Sequence, residues 1–159
     1  MKKILIASLV TFSVGVGMVS EVLAQANPNQ LVAQRKAAMG LQHKYFNPSL
    51  AMVQGRAPYD AAILQRNAGY LAVLSQLPWD DFQPTTVGAA NTRAKEDIYK
   101  DAAKFKAAGE ALQVEVQKFV TATRGGDQAA VGAAVRGVGK ACVSCHDAAV
   151  TFDFRYKLD

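Results

Sequence analysis

The chain is poor in the residues from which small catalytic and metal sites are built. Its 159 residues include two cysteines, two histidines and one tryptophan. Two cysteines allow at most one disulfide, far from the dense frameworks of small secreted domains. A closed zinc site would have to recruit both histidines, which lie about a hundred residues apart, and there is no second C-x-x-C. No run of Lys and Arg suggests a nucleic-acid partner, although the formal charge is mildly positive at +5. Period-two alternation is missing throughout, which argues against a sheet. No pair among the thirteen acidic residues stands out as a catalytic constellation, so an enzyme is not expected.

What is present begins at the N-terminus. Lys2-Lys3 precede an uncharged, mostly apolar stretch from Ile4 to Val19, and Val22-Leu23-Ala24 has the small-residue pattern of a cleavage site. The stretch falls short of the ~20 residues a spanning helix needs, so no stable membrane anchor is expected. Residues 1–24 are read as a signal peptide cleaved after Ala24, with Ala26 as second choice. Export to the periplasm follows, leaving residues 25–159 as a single domain.

The two cysteines stand in Cys142-Val143-Ser144-Cys145-His146. C-x-x-C-H is the attachment signature of c-type haem. Each thiol adds across one haem vinyl group to form a thioether, and the following histidine can reach the iron axially. Cys142 and Cys145 are therefore the expected thioether residues of one covalent haem c per chain, and His146 the expected proximal iron ligand. A disulfide between the cysteines is the poorer use of them, given the adjoining histidine.

The rest of the chain reads as helices. Asn29 is a plausible N-cap for a first helix whose Leu31, Arg35, Met39, Phe46, Leu50 and Val53 recur at helical spacing. Pro48 should kink or divide it. After Gly55, Pro58 suits the first turn of a second helix, with Leu64, Leu71 and Leu74 inward and Pro78 as its stop. Residues 78–91 form one long loop, whose Trp79 and Phe82 are expected to cover an end of the core. A third helix carries Ile98, Ala102, Phe105, Gly109, Leu112, Val116 and Phe119 in steps of four and three. Gly125-Gly126 end it. Asp127 then caps a fourth, with Val131, Val135, Val138, Cys142, Cys145 and Ala149 in the same steps. The expectation is an all-α, antiparallel up-down-up-down four-helix bundle, with the haem bound against its C-terminal helix. Cys142, Cys145 and His146 project from adjacent turns toward one side of that helix, and its Ala- and Gly-rich stripe suits close approach of a flat ring.

A C-x-x-C-H at the far end of an exported all-helical chain of this length resembles the class II cytochromes c, which comprise cytochrome c prime and its Met-ligated low-spin relatives. Gly139-Lys140-Ala141-Cys142 and the turn Gly55-x-x-Pro58-Tyr59-Asp60 belong to the same resemblance. It implies that Arg35 is followed, four residues on, by the residue facing the distal side of the iron, here Met39. It also implies a homodimer through the first two helices. The family usually places an aromatic-Arg pair three and four residues after the axial histidine. This chain has Ala149 and Val150 there, and Phe154-Arg155 only later.

Function turns on Met39. Ligation by its thioether gives a six-coordinate His/Met haem suited to electron transfer with redox partner proteins, the reading favoured by the sequence. If Met39 only fills space, the haem is five-coordinate and takes a diatomic gas, NO or CO. Arg35, one turn before Met39, is a candidate contact for a haem propionate. His43, one turn after, is expected to be a surface residue beside Asn47-Pro48 rather than a ligand.

Overall fold

The computed structural model describes residues 27–149. The expected signal peptide, Val150 and Phe154-Arg155 lie outside the described residues. Helices α1 (Pro28–Val53), α2 (Ala61–Leu74), α3 (Asp97–Lys100), α4 (Ala102–Gly125) and α5 (Gln128–Ala149) follow in order, and two short 3-10 turns lie between α2 and α3. Among the described residues there is no strand, and no helix is long and apolar enough to cross a membrane. The four long helices pack in a ring, α1 on α2, α2 on α4, α4 on α5 and α5 back on α1. This is the up-down-up-down bundle expected from four amphipathic segments joined by three connections.

Several boundaries differ from the sequence expectation. Asn27, not Asn29, caps α1: its side chain accepts the Asn29 N–H at 2.9 Å, and Pro28 follows at the first helical position. Asn29 instead accepts the Ala90 N–H at 2.9 Å, tying the long loop to the start of α1. Pro48 does not divide α1, because its ring stands on an exposed face and tertiary contacts on the opposite face hold the helix through it. Gly55 does stop the chain, at φ 72°, with Arg56 N–H bonding back to Ala51 C=O at 2.9 Å in the Schellman pattern. Pro58 lies before α2, whose cap is Asp60, accepting from Ile63 N–H at 2.9 Å. The helix ends at Leu74, ahead of Pro78.

The third predicted helix is split at Asp101. This residue leaves the helical region (φ −121°, ψ 61°) and caps α4 through Lys104 N–H at 3.1 Å. An Asp that can satisfy an orphan N–H itself competes with helix continuation. The stripe resumes beyond it, with Gly109, Leu112, Val116 and Phe119 buried. Gly126, at φ 74°, closes α4, and Asp127 accepts the Ala129 N–H at 2.9 Å to start α5.

The core is one cluster in which Leu64, Ala68 and Leu71 of α2 meet Leu112, Val116 and Phe119 of α4 and Val131, Ala134, Val135 and Val138 of α5. Burial of each large apolar side chain contributes about 1.5–3 kcal/mol. From α1 the cluster takes only Phe46. The inner face of α1 is otherwise polar for a core face: Arg35, Gln42 and Ser49 are buried beside Leu31, Val32 and Ala38. Each has its hydrogen bond, as burial requires. Gln42 donates to Leu74 C=O at 3.1 Å, and Ser49 donates to Tyr45 C=O and accepts from Asn67 of α2.

Candidate functional site

The contacts of α1 define which of its flanks faces which neighbour. Gln42 reaches Leu74 of α2, and Tyr45 packs on Tyr70 of α2 with ring centroids 4.7 Å apart. Phe46 turns the other way, toward α5. Its ring lies where a Cβ on Gly139 would come within 3.2 Å of it. Further along, Val53 of α1 and Gly132 of α5 line one surface cleft. Val53 lies beyond Phe46 on α1, while the α5 residues of that cleft, Gln128, Ala129, Gly132 and Arg136, all precede Gly139, so the two helices run antiparallel. Counting seven residues the other way from the Phe46–Gly139 contact, or about 10 Å at 1.5 Å per residue, carries α1 to Met39 and α5 to His146.

Helical geometry then decides the flanks. At about 100° per residue, Met39 lies to the same side of α1 as Phe46, and His146 to the same side of α5 as Gly139. Both are half-buried. Helical counting thus sets Met39 and His146, two residues separated by most of the chain, on the flanks that α1 and α5 turn toward their shared seam. Cys142 and Cys145 lie one helical turn apart beside His146, half-buried and not joined to each other. Burial pushes the Cys142 thiol up to about 11, with the neighbouring Cys145 adding to the effect, and burial raises Cys145 as well.

This seam is the most thinly packed contact in the ring. On the α5 side its residues are small, Gly132 and Gly139 before the cysteines. Among the described residues no group of three or more His, Cys, Asp or Glu side chains could enclose a bare metal ion. The donor set instead suits a planar ring joined through two thiols and ligated axially by one imidazole. The residues present fit a covalent haem.

A loop closes this end of the bundle. Trp79 donates its indole N–H to Ser75 C=O at 2.6 Å and lies flat against Gly109, where an added Cβ would stand 3.0 Å from the ring. Phe82 packs edge-on against Phe105 of α4 at 4.9 Å. Trp79 and Phe82 therefore do cover an end of the core. Arg35 holds the loop from below. Its Nη1 donates to Asp81 C=O (3.2 Å) and Thr86 Oγ1 (2.9 Å), and its Nη2 to Thr92 Oγ1 (2.6 Å). The guanidinium also stacks over the Phe82 ring at 4.4 Å. Arg35 is 4% exposed, and both terminal nitrogens are engaged by the loop rather than aimed at the seam. Asp81, beside it, has its carboxyl raised by desolvation and by Asp80, with Arg35 opposing.

The residues that hold Met39 and the Arg35 cluster were not read from the sequence. Gln42 places its side-chain amide 3.7 Å from Met39 Sδ, so the thioether accepts an N–H from its own helix. Its position three residues after Met39 was the available signal. Tyr99, whose hydroxyl meets Thr86 Oγ1 at 2.7 Å, had none. His43 is half-buried, its Nε2 2.9 Å from the side-chain nitrogen of Asn47.

With this geometry in view, comparison with known proteins is decisive for the family. The family profile described as Cytochrome C' matches residues 30–148. The chain belongs to the cytochrome c prime family. It is 39% identical over 123 residues to cytochrome c' of Alcaligenes xylosoxydans xylosoxydans, covering 77% of this chain and 94% of that protein. Identity to cytochrome c' of Rubrivivax gelatinosus is 38% over 120 residues, covering 76% and 93%. The crystal structure of the latter superposes with a TM-score of 0.75 at 37% identity, over 79% of this chain and 98% of that one. A nitric oxide complex of a cytochrome c prime variant from Alcaligenes xylosoxidans gives 0.74 at 37% identity, over 80% and 98%. As a cytochrome c prime, the protein carries covalently attached haem c with its iron. The expectation of an electron carrier with His/Met ligation finds no support among these relatives. The NO complex favours the gas-binding alternative.

Proposed function

We propose that this protein is a periplasmic, five-coordinate cytochrome c prime that binds NO or CO, and not an enzyme. When bound, the haem supplies an iron open to a diatomic ligand on the face opposite its axial histidine. In this reading Cys142 and Cys145 carry the thioethers, and His146 is the proximal ligand. Met39 is the apolar residue that crowds the distal side and admits small neutral molecules only. The observation that carries the reading is the contact between Met39 Sδ and Gln42. Gln42 is itself anchored on Leu74 C=O, so the sulfur has a hydrogen-bond donor on its own helix that iron ligation would have to compete with. The nitric oxide complexes of related proteins support the same conclusion. Arg35 serves the site by fixing the loop above it; a propionate would have to share donors already engaged.

A second copy of the chain fits the other flank of α1. Leu41, Tyr70, Val73 and Leu77 expose apolar surface along α1 and α2, the two helices through which the resemblance implies a homodimer.

One pair of spectra tests the gas-binding reading. Oxidised wild-type protein is expected to be high-spin, Met39→Leu is expected to leave that spectrum unchanged, and both reduced forms should take up CO. A low-spin wild type with the long-wavelength iron–thioether band, converted to high-spin by Met39→Leu, would return the protein to the electron-carrier reading.

A further inference from the structure

The charges of this molecule are sorted by helix. α1 has no acidic residue and carries Arg35, Lys36 and Lys44; α5 carries Arg136 and Lys140 against the single Asp147. The acids lie elsewhere, and so do the ion pairs. Among the described residues these are Lys100 with Glu96 and Asp97, Lys106 with Glu110, and Lys118 with Glu115, all on α3, α4 or the residue preceding α3. Lys36, Lys44, Arg136 and Lys140 are exposed, and none of them forms an ion pair among the described residues.

Helical counting places these four cations on one side of the α1–α5 pair, with Lys36, Lys44 and Lys140 within about two turns of Gly40 and Arg136 a further turn along α5. At about 100° per residue, Lys36, Gly40 and Lys44 follow one another across the outer face of α1 beside α5. Arg136, Lys140 and Val143 do the same on α5 beside α1. Gly40 sits at the level of Cys145, and a Cβ there would meet nothing within 4 Å. Val143, inside the C-x-x-C segment, is 39% exposed. The result is a surface around Gly40 and Val143 that carries four exposed cations, with Asp147, one turn beyond Val143 on the same side of α5, as its single acid. A solvated helix face ordinarily intersperses both signs of charge evenly, as α4 does; a face with an excess of one sign steers a partner of the other.

We propose that the α1–α5 face is the docking surface for an acidic protein that delivers one electron to the haem. The proposal rests on the gas-binding reading only in that a haem taking CO must first be ferrous. One electron leaves the reduced donor and takes the iron from Fe(III) to Fe(II), with no proton or group transferred. Lys36, Lys44, Arg136 and Lys140 contact the donor's carboxylates, and Gly40 and Val143 let its surface approach the ring edge.

The test uses mature holoprotein and a reduced acidic [2Fe–2S] ferredoxin as probe donor. At low salt, Lys36→Glu with Lys140→Glu should slow reduction and weaken binding of the oxidised ferredoxin by about ten-fold or more, with wild type and variant converging at high salt. Lys104→Glu with Lys106→Glu makes the same change of net charge on α4 and should have a much smaller effect. CO uptake by the chemically reduced variants should match wild type, which separates docking from the gas site. Equal losses in the two double variants, or a rate and affinity independent of salt, would overturn the proposal.

Discussion

Where α2 meets α4, Leu64, Leu71, Leu112, Val116 and Phe119 fill the interior with their own side chains. Where α1 meets α5, small residues and a cysteine pair take their place beyond Gly139, which Phe46 approaches from α1. The first region stabilises by burial of what the chain itself supplies. In the second, helices of the same periodicity meet through fewer and smaller side chains, and a cofactor can supply further apolar surface. The difference shows that a helical stripe of small residues beside C-x-x-C-H is an incomplete core rather than a tight one.

Four variants set these regions against each other. The largest effect is expected from Cys142→Ala with Cys145→Ala, which strikes the α1–α5 seam alone. The purified chain should keep no haem after acid–acetone extraction. It should also be less ordered by circular dichroism, because a ligand bound only to the native state adds its binding free energy to folding. Full helicity and wild-type thermal stability in that variant would mean that the seam closes without the haem.

Next is Phe119→Ala in the opposite half, where a fully buried ring is removed from the cluster. A loss of about 3–5 kcal/mol in denaturant unfolding of the holoprotein is expected, with the visible spectrum retained. A shifted Soret band would show that the two regions are coupled more closely than their packing suggests.

The smallest effect concerns the loop that bridges them. Arg35→Ala should cost about 2–3 kcal/mol, since several hydrogen bonds from a buried charge are lost together. Thr86→Val should cost about 1 kcal/mol. In both, amide exchange should accelerate across residues 78–92 before it does in α4 and α5. Unchanged exchange in the loop would mean that Trp79 and Phe82 hold it without Arg35.

The helical boundaries show how far sequence reasoning reached. The stripes of α2, α4 and α5 were legible because apolar residues at steps of three and four leave little choice of face. The breaks at Asn27, Asp60 and Asp101 were not, because several polar residues near each boundary can cap and only the surrounding packing selects one. Pro48 misled for a related reason. Its local penalty is real, but Gln42, Phe46 and Ser49 fix α1 on both sides of it.

By itself, the sequence determined that the chain is all-helical and pointed to Cys142 and Cys145, in a motif that ends in His146, as the expected attachment residues of haem c. These follow from local chemistry and short-range periodicity. Only the tertiary structure decided that Phe46 of α1 meets Gly139 of α5, that the Met39 sulfur meets Gln42, and that Arg35 is engaged by Asp81, Thr86 and Thr92. Such relations depend on the register between helices, which is set by where Phe46 meets Gly139 and not by any property of either residue's neighbours in the chain.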